Sequence, residues 1–328
     1  MTFERPTLAD VLLAKRLIAP YLKPTPLYRY GALDRLVGAE VYVKHENHQP
    51  IGAFKIRGGI NLVAQLSAAE RARGIITAST GNHGQSLAYA GRLFGARVII
   101  GVPEGANPLK VEAMQNLGAE VLFHGRDFDE AREYVETLAE ERNLRYVHPA
   151  NEKLLIAGVA TETLEILEER PDIEVIIVPV GAGSGASGAC IVAKAINPQI
   201  RVIAVQAERA PAGYLSWKEG RLLEAPMNTF AEGLATRTGY PLPQSILRDL
   251  LDDFALVSDD EIRHAMRLLL EKTHNLAEGA GASALAAALK MKEQLAGKKV
   301  AIVQSGGNTS LEHGQRRWRR SGAMSWAA

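Results

Sequence analysis

The 328 residues include one cysteine, Cys190, so a disulfide framework and a cysteine-based zinc site are both excluded. No excess of either charge is present. Against 38 Lys and Arg stand 37 Asp and Glu, which removes the electrostatic case for nucleic acid or an anionic membrane surface as a main partner. No apolar run reaches the roughly 18 residues that a spanning helix needs. The opening stretch MTFERPTLAD carries early acids and no apolar core, so it does not read as a signal peptide. No Pro/Ser-rich linker strings the chain into beads, which points to lobes that interleave. These absences describe a cytoplasmic protein, and 47% apolar residues give it ample core.

Short β-branched runs alternate with helical patterns almost throughout, the pattern of an α/β protein with parallel sheets covered by helices. Strands are predicted at 40–44, 74–79, 97–102, 120–124, 174–180, 201–206 and 299–305. Helices are predicted at 82–94, 108–117, 127–143 and 185–196. FGARVII (94–100) and LGAEVLF (117–123) each stop a helix at glycine and start a strand, consistent with a compact three-strand unit over about 68–149. The acidic runs Asp252–Asp253 and Asp259–Glu261 read as a helix cap and first turn. The end, RRWRRSGAMSWAA, reads as a frayed basic tail.

VIIVPVGAGSGASGACIVAKA (175–195) runs strand, glycine loop, helix. Successive backbone N–H groups and a helix N-terminus there form an anion cradle, and small residues let a phosphate approach. Gly183, Gly185 and Gly188 also satisfy G-x-G-x-x-G, and Glu208 follows where a ribose-binding acid would stand. Taken alone, this loop supports a dinucleotide-binding protein as well as any other phosphate binder.

HENHQPIGAFKIRGG (45–59) sets Lys55 between Phe54 and Ile56, with Arg57 and a glycine pair behind it. One reading is a strand lysine that reaches solvent between two core residues. The other is an amine made nucleophilic by desolvation, with Arg57 adding like-charge pressure. Lys110, Lys153 and Lys194 fall on polar helix faces. His45 and His48 lack a third ligand and read as fold support.

Three further stretches decide between these readings: ASTGNHGQS (78–86), AEGAGAS (277–283) and VQSGGN (303–308). With GAFKIRGG and the glycine loop they resemble, in order, the motifs of the pyridoxal-phosphate enzymes of the threonine dehydratase and serine racemase type. The resemblance runs from TPL (25–27) to Asn308. It implies two interleaved open parallel-sheet domains of fold type II, the tryptophan synthase β-like class. A large cofactor-binding domain would be formed by 1–67 with 150–320, a small mobile domain by 68–149, and a tail by 321–328.

By that resemblance the cofactor is pyridoxal 5'-phosphate, held as a Schiff base on Lys55 with Phe54 packed near it. Gly181, Ala182, Gly183, Ser184 and Gly185 would bind its phosphate, Asn82 its ring hydroxyl oxygen, and Ser305 its pyridine nitrogen, with Glu278 beside it. Ser79, Thr80, Asn82 and His83 would receive a substrate carboxylate at a helix N-terminus, and Lys55, Ser79 and Thr80 are the catalytic candidates. Arg132 matches a carboxylate-side arginine of racemase-like members but reads as a surface helix residue.

The implied activity is that of an ammonia-lyase, a dehydratase that eliminates water from a β-hydroxy-α-amino acid such as L-threonine or L-serine to give a 2-oxo acid and ammonia. A hydroxyl at Ser305 makes the ring a weak electron sink, which favours prompt loss of the β-group. Thr80 stands where serine racemases place a serine, so racemisation should be minor. The divalent-cation positions of racemase-like members align with Gln206 and Ala212, which are poor ligands for a hard cation, so no metal is expected. A homodimer or homotetramer is expected by the same resemblance. No regulatory extension follows residue 320, so control by a further effector domain is not expected. Alternatives are a dehydratase for phenylserine or 3-hydroxyaspartate, an amino-acid racemase, a cysteine synthase, an NAD-dependent dehydrogenase, and a non-catalytic amino-acid binder.

Overall fold

The computed structural model describes residues 3–309. The predicted basic tail and the boundary at 320 lie outside these residues. Ten strands form two sheets: β1 (Leu27–Arg29), β2 (Glu40–His45), β3 (Ile75–Ala78), β4 (Val98–Val102), β5 (Glu120–Phe123), β6 (Arg145–Tyr146), β7 (Val175–Pro179), β8 (Arg201–Ala207), β9 (Asp253–Val257) and β10 (Lys299–Gln304). One sheet has the order β1-β2-β10-β7-β8-β9 and the other β5-β4-β3-β6. All neighbours are parallel except β1, which runs antiparallel to β2. The chain is thus α/β with two parallel-sheet units.

A parallel sheet buried on both faces must be apolar at every position, with alternate residues feeding opposite cores. Strands β7 and β10 show this directly. Val175, Ile177, Val300 and Ile302 enter one core with the alanine-rich helix Gly279–Lys290. Ile176, Val178, Ala301 and Val303 enter another with the helix Ser184–Ile196. The helix Lys55–Ala64 shares a third core with the helix Asn82–Phe94, the strands β3 and β4 and the segment around Leu155–Ala157. Small residues allow the close approach: a Cβ at Gly59 would lie 2.6 Å from the Ser86 carbonyl oxygen, and one at Gly58 2.9 Å from that of Leu155.

The sequence-predicted strands and helices stand within a residue or two of their expected bounds, with three strands added. β1 and β6 are short, three and two residues long, so the small unit has four strands, not three. β9 begins at Asp253, where a helix cap was expected. Asp252 instead accepts the Val202 N–H at 2.7 Å and pairs with Lys194 at 2.6 Å, which tethers β9 to the neighbouring strand. Asp259–Glu261 is a first helical turn as read, closed by a Ser258–Glu261 capping box. Among the described residues no helix is long and apolar enough to cross a membrane.

Candidate active site

Three motif loops leave the carboxyl ends of parallel strands: Ser79 follows β3, Gly181 follows β7 and Ser305 follows β10. Such ends are where open α/β sheets bind ligands. Here they surround one cleft of about 2080 Å³, into which the Lys55 and Glu278 segments also open. The residues expected to hold cofactor or substrate line this cleft: Phe54 and Lys55; Ser79, Thr80, Asn82 and His83; Gly181 to Gly185; Glu278; and Ser305.

Lys55 is the first residue of its helix, not a strand residue. Its Nζ donates to Ser184 Oγ at 2.8 Å and lies 5.1 Å from the centre of the Phe54 ring. Burial pushes the amine down to about 8, against a smaller opposing pull from Glu162. The like-charge pressure expected from Arg57 is absent, which corrects that expectation. Two residues further along a helix, Arg57 points elsewhere and is held by Glu46 (2.8 Å) and Glu165 (2.6 Å). Ile56 faces the core.

The glycine loop ends in the N-terminus of the helix Ser184–Ile196, with Gly183 in the left-handed region at φ 96°. Gly181 has no room for a side chain, since a Cβ would lie 2.1 Å from the Gly233 carbonyl oxygen. Gly185 is backed by Phe54, whose ring would lie 3.3 Å from an added Cβ. Gly188, the third glycine of the dinucleotide pattern, packs on Ala160 instead, and Glu208 pairs with Lys290 at 3.0 Å. The pattern therefore has a packing explanation, and its acid is turned to a surface lysine.

Ser79 Oγ accepts the N–H groups of Gly81 (3.2 Å) and Gly84 (2.9 Å), so its hydroxyl shapes the loop that opens the helix Asn82–Phe94. First-turn N–H groups of that helix face the cleft. The His83 ring turns away to Thr77 Oγ1 at 3.1 Å, and burial pushes it down to about 3, so it is uncharged at neutral pH and offers the loop its backbone. Asn82 bridges the two units: its Nδ2 donates to Glu278 Oε1 at 2.8 Å, and its Oδ1 accepts from Asn308 Nδ2 at 2.7 Å. Burial pushes Glu278 up to about 7. Ser305 is buried at the end of β10, and its carbonyl accepts the Phe54 N–H at 3.0 Å.

Sequence reasoning missed Asn308 as a site residue, although its motif was in view. It also missed Lys110 and Glu232, which form an ion pair across the cleft between the helix Pro108–Asn116 and the turn Glu232–Leu234. Lys153 pairs with Glu4 and Asp10 and Lys194 with Asp252, away from the cleft. Arg132 pairs with Glu136 at 3.0 Å and does not line the cleft. His45 is buried against Tyr30, 2.9 Å from its hydroxyl, and stacks on His48. Gln206 is buried, accepting the Tyr214 N–H at 3.1 Å. Among the described residues no group of three His, Cys, Asp or Glu is placed to hold a metal ion.

The donor set fits an aldehyde that carries a phosphate and a basic ring: a desolvated amine, an N–H cradle closed to side chains at Gly181, and a buried hydroxyl at Ser305. Comparisons with known proteins agree. The family described as "Pyridoxal-phosphate dependent enzyme" matches residues 18–306. The chain is 41% identical over 306 residues to an L-threonine ammonia-lyase of Thermotoga maritima, covering 93% of this chain and 76% of that one. It is 36% identical over 310 residues to a serine racemase of Dictyostelium discoideum, covering 93% and 95%. Among solved structures, maize serine racemase superposes with TM-score 0.91 at 34% identity, covering 97% of this chain and 98% of that one. The processed threonine deaminase isoform 2 of Solanum lycopersicum gives TM-score 0.91 at 28% identity, covering 98% and 97%.

Proposed function

The chain belongs to the pyridoxal-phosphate-dependent enzymes, and from that premise we propose that it is an ammonia-lyase acting on L-threonine or L-serine, releasing a 2-oxo acid and ammonia. The observation that carries this reading is the Lys55 amine, held at about 8 and 2.8 Å from a hydroxyl at the mouth of the phosphate cradle. Relatives named for threonine ammonia-lyase activity support the choice of reaction.

Pyridoxal phosphate, when bound, supplies an aldehyde for an amine and a ring that draws electrons from Cα. The residues do the rest. Lys55 Nζ takes the Cα proton, being half free at about pH 8. The N–H groups of Thr80, Asn82 and His83 hold the substrate carboxylate, that of Gly81 being given to Ser79 Oγ, and the cradle at Gly181 to Gly185 would hold the cofactor phosphate. Ser305, buried at the cleft wall, would offer the ring nitrogen a hydroxyl rather than a carboxylate. A hydroxyl would not hold that nitrogen protonated, so the ring would draw electrons more weakly than with a carboxylate partner, which favours prompt loss of the β-hydroxyl. Thr80, which lines the same cleft as Lys55, carries a methyl where the resemblance places a racemase serine, so elimination outruns racemisation. Lys110 and Arg263, which line the cleft, are paired with Glu232 and Asp260.

Residues 68–149 act as the small unit that closes over substrate, and the enzyme works in the cytosol as a homodimer or homotetramer. The assembly rests on family resemblance and is tested by light scattering. The function is tested by incubating the holoenzyme with L-threonine and L-serine and measuring 2-oxo acid, ammonia and the D-enantiomer. Stoichiometric 2-oxo acid and ammonia are expected. D-amino acid as the main product would replace the lyase reading with a racemase.

A further inference from the structure

Asn308 has no part in the chemistry proposed so far, yet its side chain is firmly held at the wall of the cleft. Its Nδ2 donates to the Ile51 carbonyl at 2.8 Å and to Asn82 Oδ1 at 2.7 Å. Its amide oxygen lies over Gly52, where an added Cβ would come within 2.8 Å of it. Gly52 stands in the left-handed region at φ 67°, a conformation that suits glycine. The backbone around this contact is tied down as well. The Gly307 N–H donates to the Gly52 carbonyl at 2.9 Å, and Ala53 forms an antiparallel bridge with Gly306. Asn308 is thus clamped onto the segment that leads into Lys55, and from there it reaches Asn82.

Hydrogen-bond chemistry gives this chain of contacts a direction. A backbone carbonyl can only accept, so the Asn308 group that faces Ile51 is its amide nitrogen and not its oxygen. That nitrogen carries two hydrogens, and the second is spent on Asn82, so the Asn82 atom that meets it is the oxygen. Asn82 Nδ2 is thereby turned the other way, where it donates to Glu278 Oε1 at 2.8 Å. Glu278 alone would not fix this orientation. Burial raises its carboxyl to about 7, and an uncharged carboxyl can donate as well as accept. The fixed end is the Ile51 carbonyl, and Asn308 carries its polarity across to Asn82. Asn82 lines the cleft at the start of the helix Asn82–Phe94. One hydrogen of its Nδ2 goes to Glu278, which leaves the other for a ligand.

We propose that Asn308 is a positioning residue that holds the Asn82 amide with its N–H donor, and not its oxygen, turned to the hydroxyl oxygen of the cofactor ring. A donor there stabilises the ionised ring oxygen, whereas an amide rotated by half a turn would set two acceptors against each other. Without Asn308 both rotations are open to Asn82, because the two ends of an amide have nearly the same size and differ only in their hydrogen bonds. The inference rests on the reading that the cleft holds pyridoxal phosphate with Asn82 at its ring oxygen. It adds which residue makes Asn82 a donor, and it is independent of which amino acid is the substrate.

The test titrates the cofactor-free protein with pyridoxal phosphate and with its 3-deoxy analogue, which keeps the aldehyde, the phosphate and the ring nitrogen but lacks the ring hydroxyl. Asn308→Ala removes the restraint, and Asn308→Asp keeps the shape but presents only acceptors to Asn82. Asn308→Ala weakens pyridoxal phosphate about tenfold and the analogue less than about twofold, with Asn308→Asp losing at least as much. Asn82→Ala shows the same selective loss, and adding Asn308→Ala to it brings no further loss, as expected of two residues that act as one unit. Pyridoxal phosphate bound to the Asn308 variants is less yellow and absorbs more in the near ultraviolet, since its ionised ring oxygen has lost a donor. Circular dichroism checks the fold, and either Asn308 variant, once folded, suffices for the comparison. A folded variant that binds pyridoxal phosphate as tightly as wild type, or that loses both cofactors alike, would overturn the proposal. A wild-type protein that binds neither cofactor would overturn the reading of the cleft and the proposal with it.

Discussion

Lys55 Nζ donates to Ser184 Oγ at 2.8 Å, joining the first residue of one helix to the first residue of another. Two positive helix ends therefore converge where an anion is to sit, and the serine hydroxyl fixes the amine at their meeting point. Ser184→Ala removes that acceptor without touching the backbone cradle. Cofactor affinity is expected to fall about five- to thirtyfold, the worth of one or two kcal/mol of charge-assisted hydrogen bonding, with thermal stability of the cofactor-free protein unchanged. Titration of the variant with pyridoxal phosphate checks it.

Lys55→Ala removes the amine that donates to Ser184 Oγ at the cradle. Covalent attachment of the cofactor is expected to vanish, shown by loss of the borohydride-trapped mass adduct, while circular dichroism and melting stay close to wild type because the side chain lies at a cleft surface. Turnover retained in this variant would contradict the assignment.

Glu278 gives a prediction about pH. Its folded value is raised to about 7 by burial, above the ordinary carboxyl range, so the unfolded chain releases its proton first. The stability it permits is full below about pH 4.5 and is lost as pH rises through 7. Glu278→Gln keeps the acceptor for Asn82 and removes this loss. The cofactor-free variant is expected to be more stable than wild type at pH 8 by on the order of 3 kcal/mol, the gap closing toward pH 4.5. Denaturant melts at the two pH values measure it.

The Lys110–Glu232 pair ties the small unit to the large one across the cleft mouth. It is partly exposed and so is worth less than about 1 kcal/mol. Glu232→Gln is expected to raise the KM for the amino acid no more than about fivefold with little change in kcat, and to remove part of the salt dependence of KM. Steady-state kinetics at low and high ionic strength separate this from general damage, which would lower kcat as well.

Much of this architecture could be read from the chain because parallel strands must be apolar on both faces. EVYVK, RVIIGV and KVAIVQS announce themselves, whereas LYR and RY are too short, and DFALV opens with an acid that also fits a helix cap. The motif loops were visible for a similar reason, since phosphate and carboxylate cradles demand runs of small residues. Long-range partners left no local mark. Asn82 and Glu278 are 196 positions apart, Lys110 and Glu232 are 122 apart, and TETLEIL looks like an ordinary amphipathic turn until the fold buries Glu162. Arg57 misled because strand-like reasoning placed it beside Lys55, whereas helical periodicity sends it to Glu46 and Glu165.

The visible absorption of the purified protein, recorded with pyridoxal phosphate and then with L-threonine and L-serine, tests the central claim most directly. The account predicts a yellow protein whose band shifts on adding one of these amino acids as 2-oxo acid accumulates, and a Lys55→Ala variant without the band. A protein that stays colourless with added pyridoxal phosphate would contradict it.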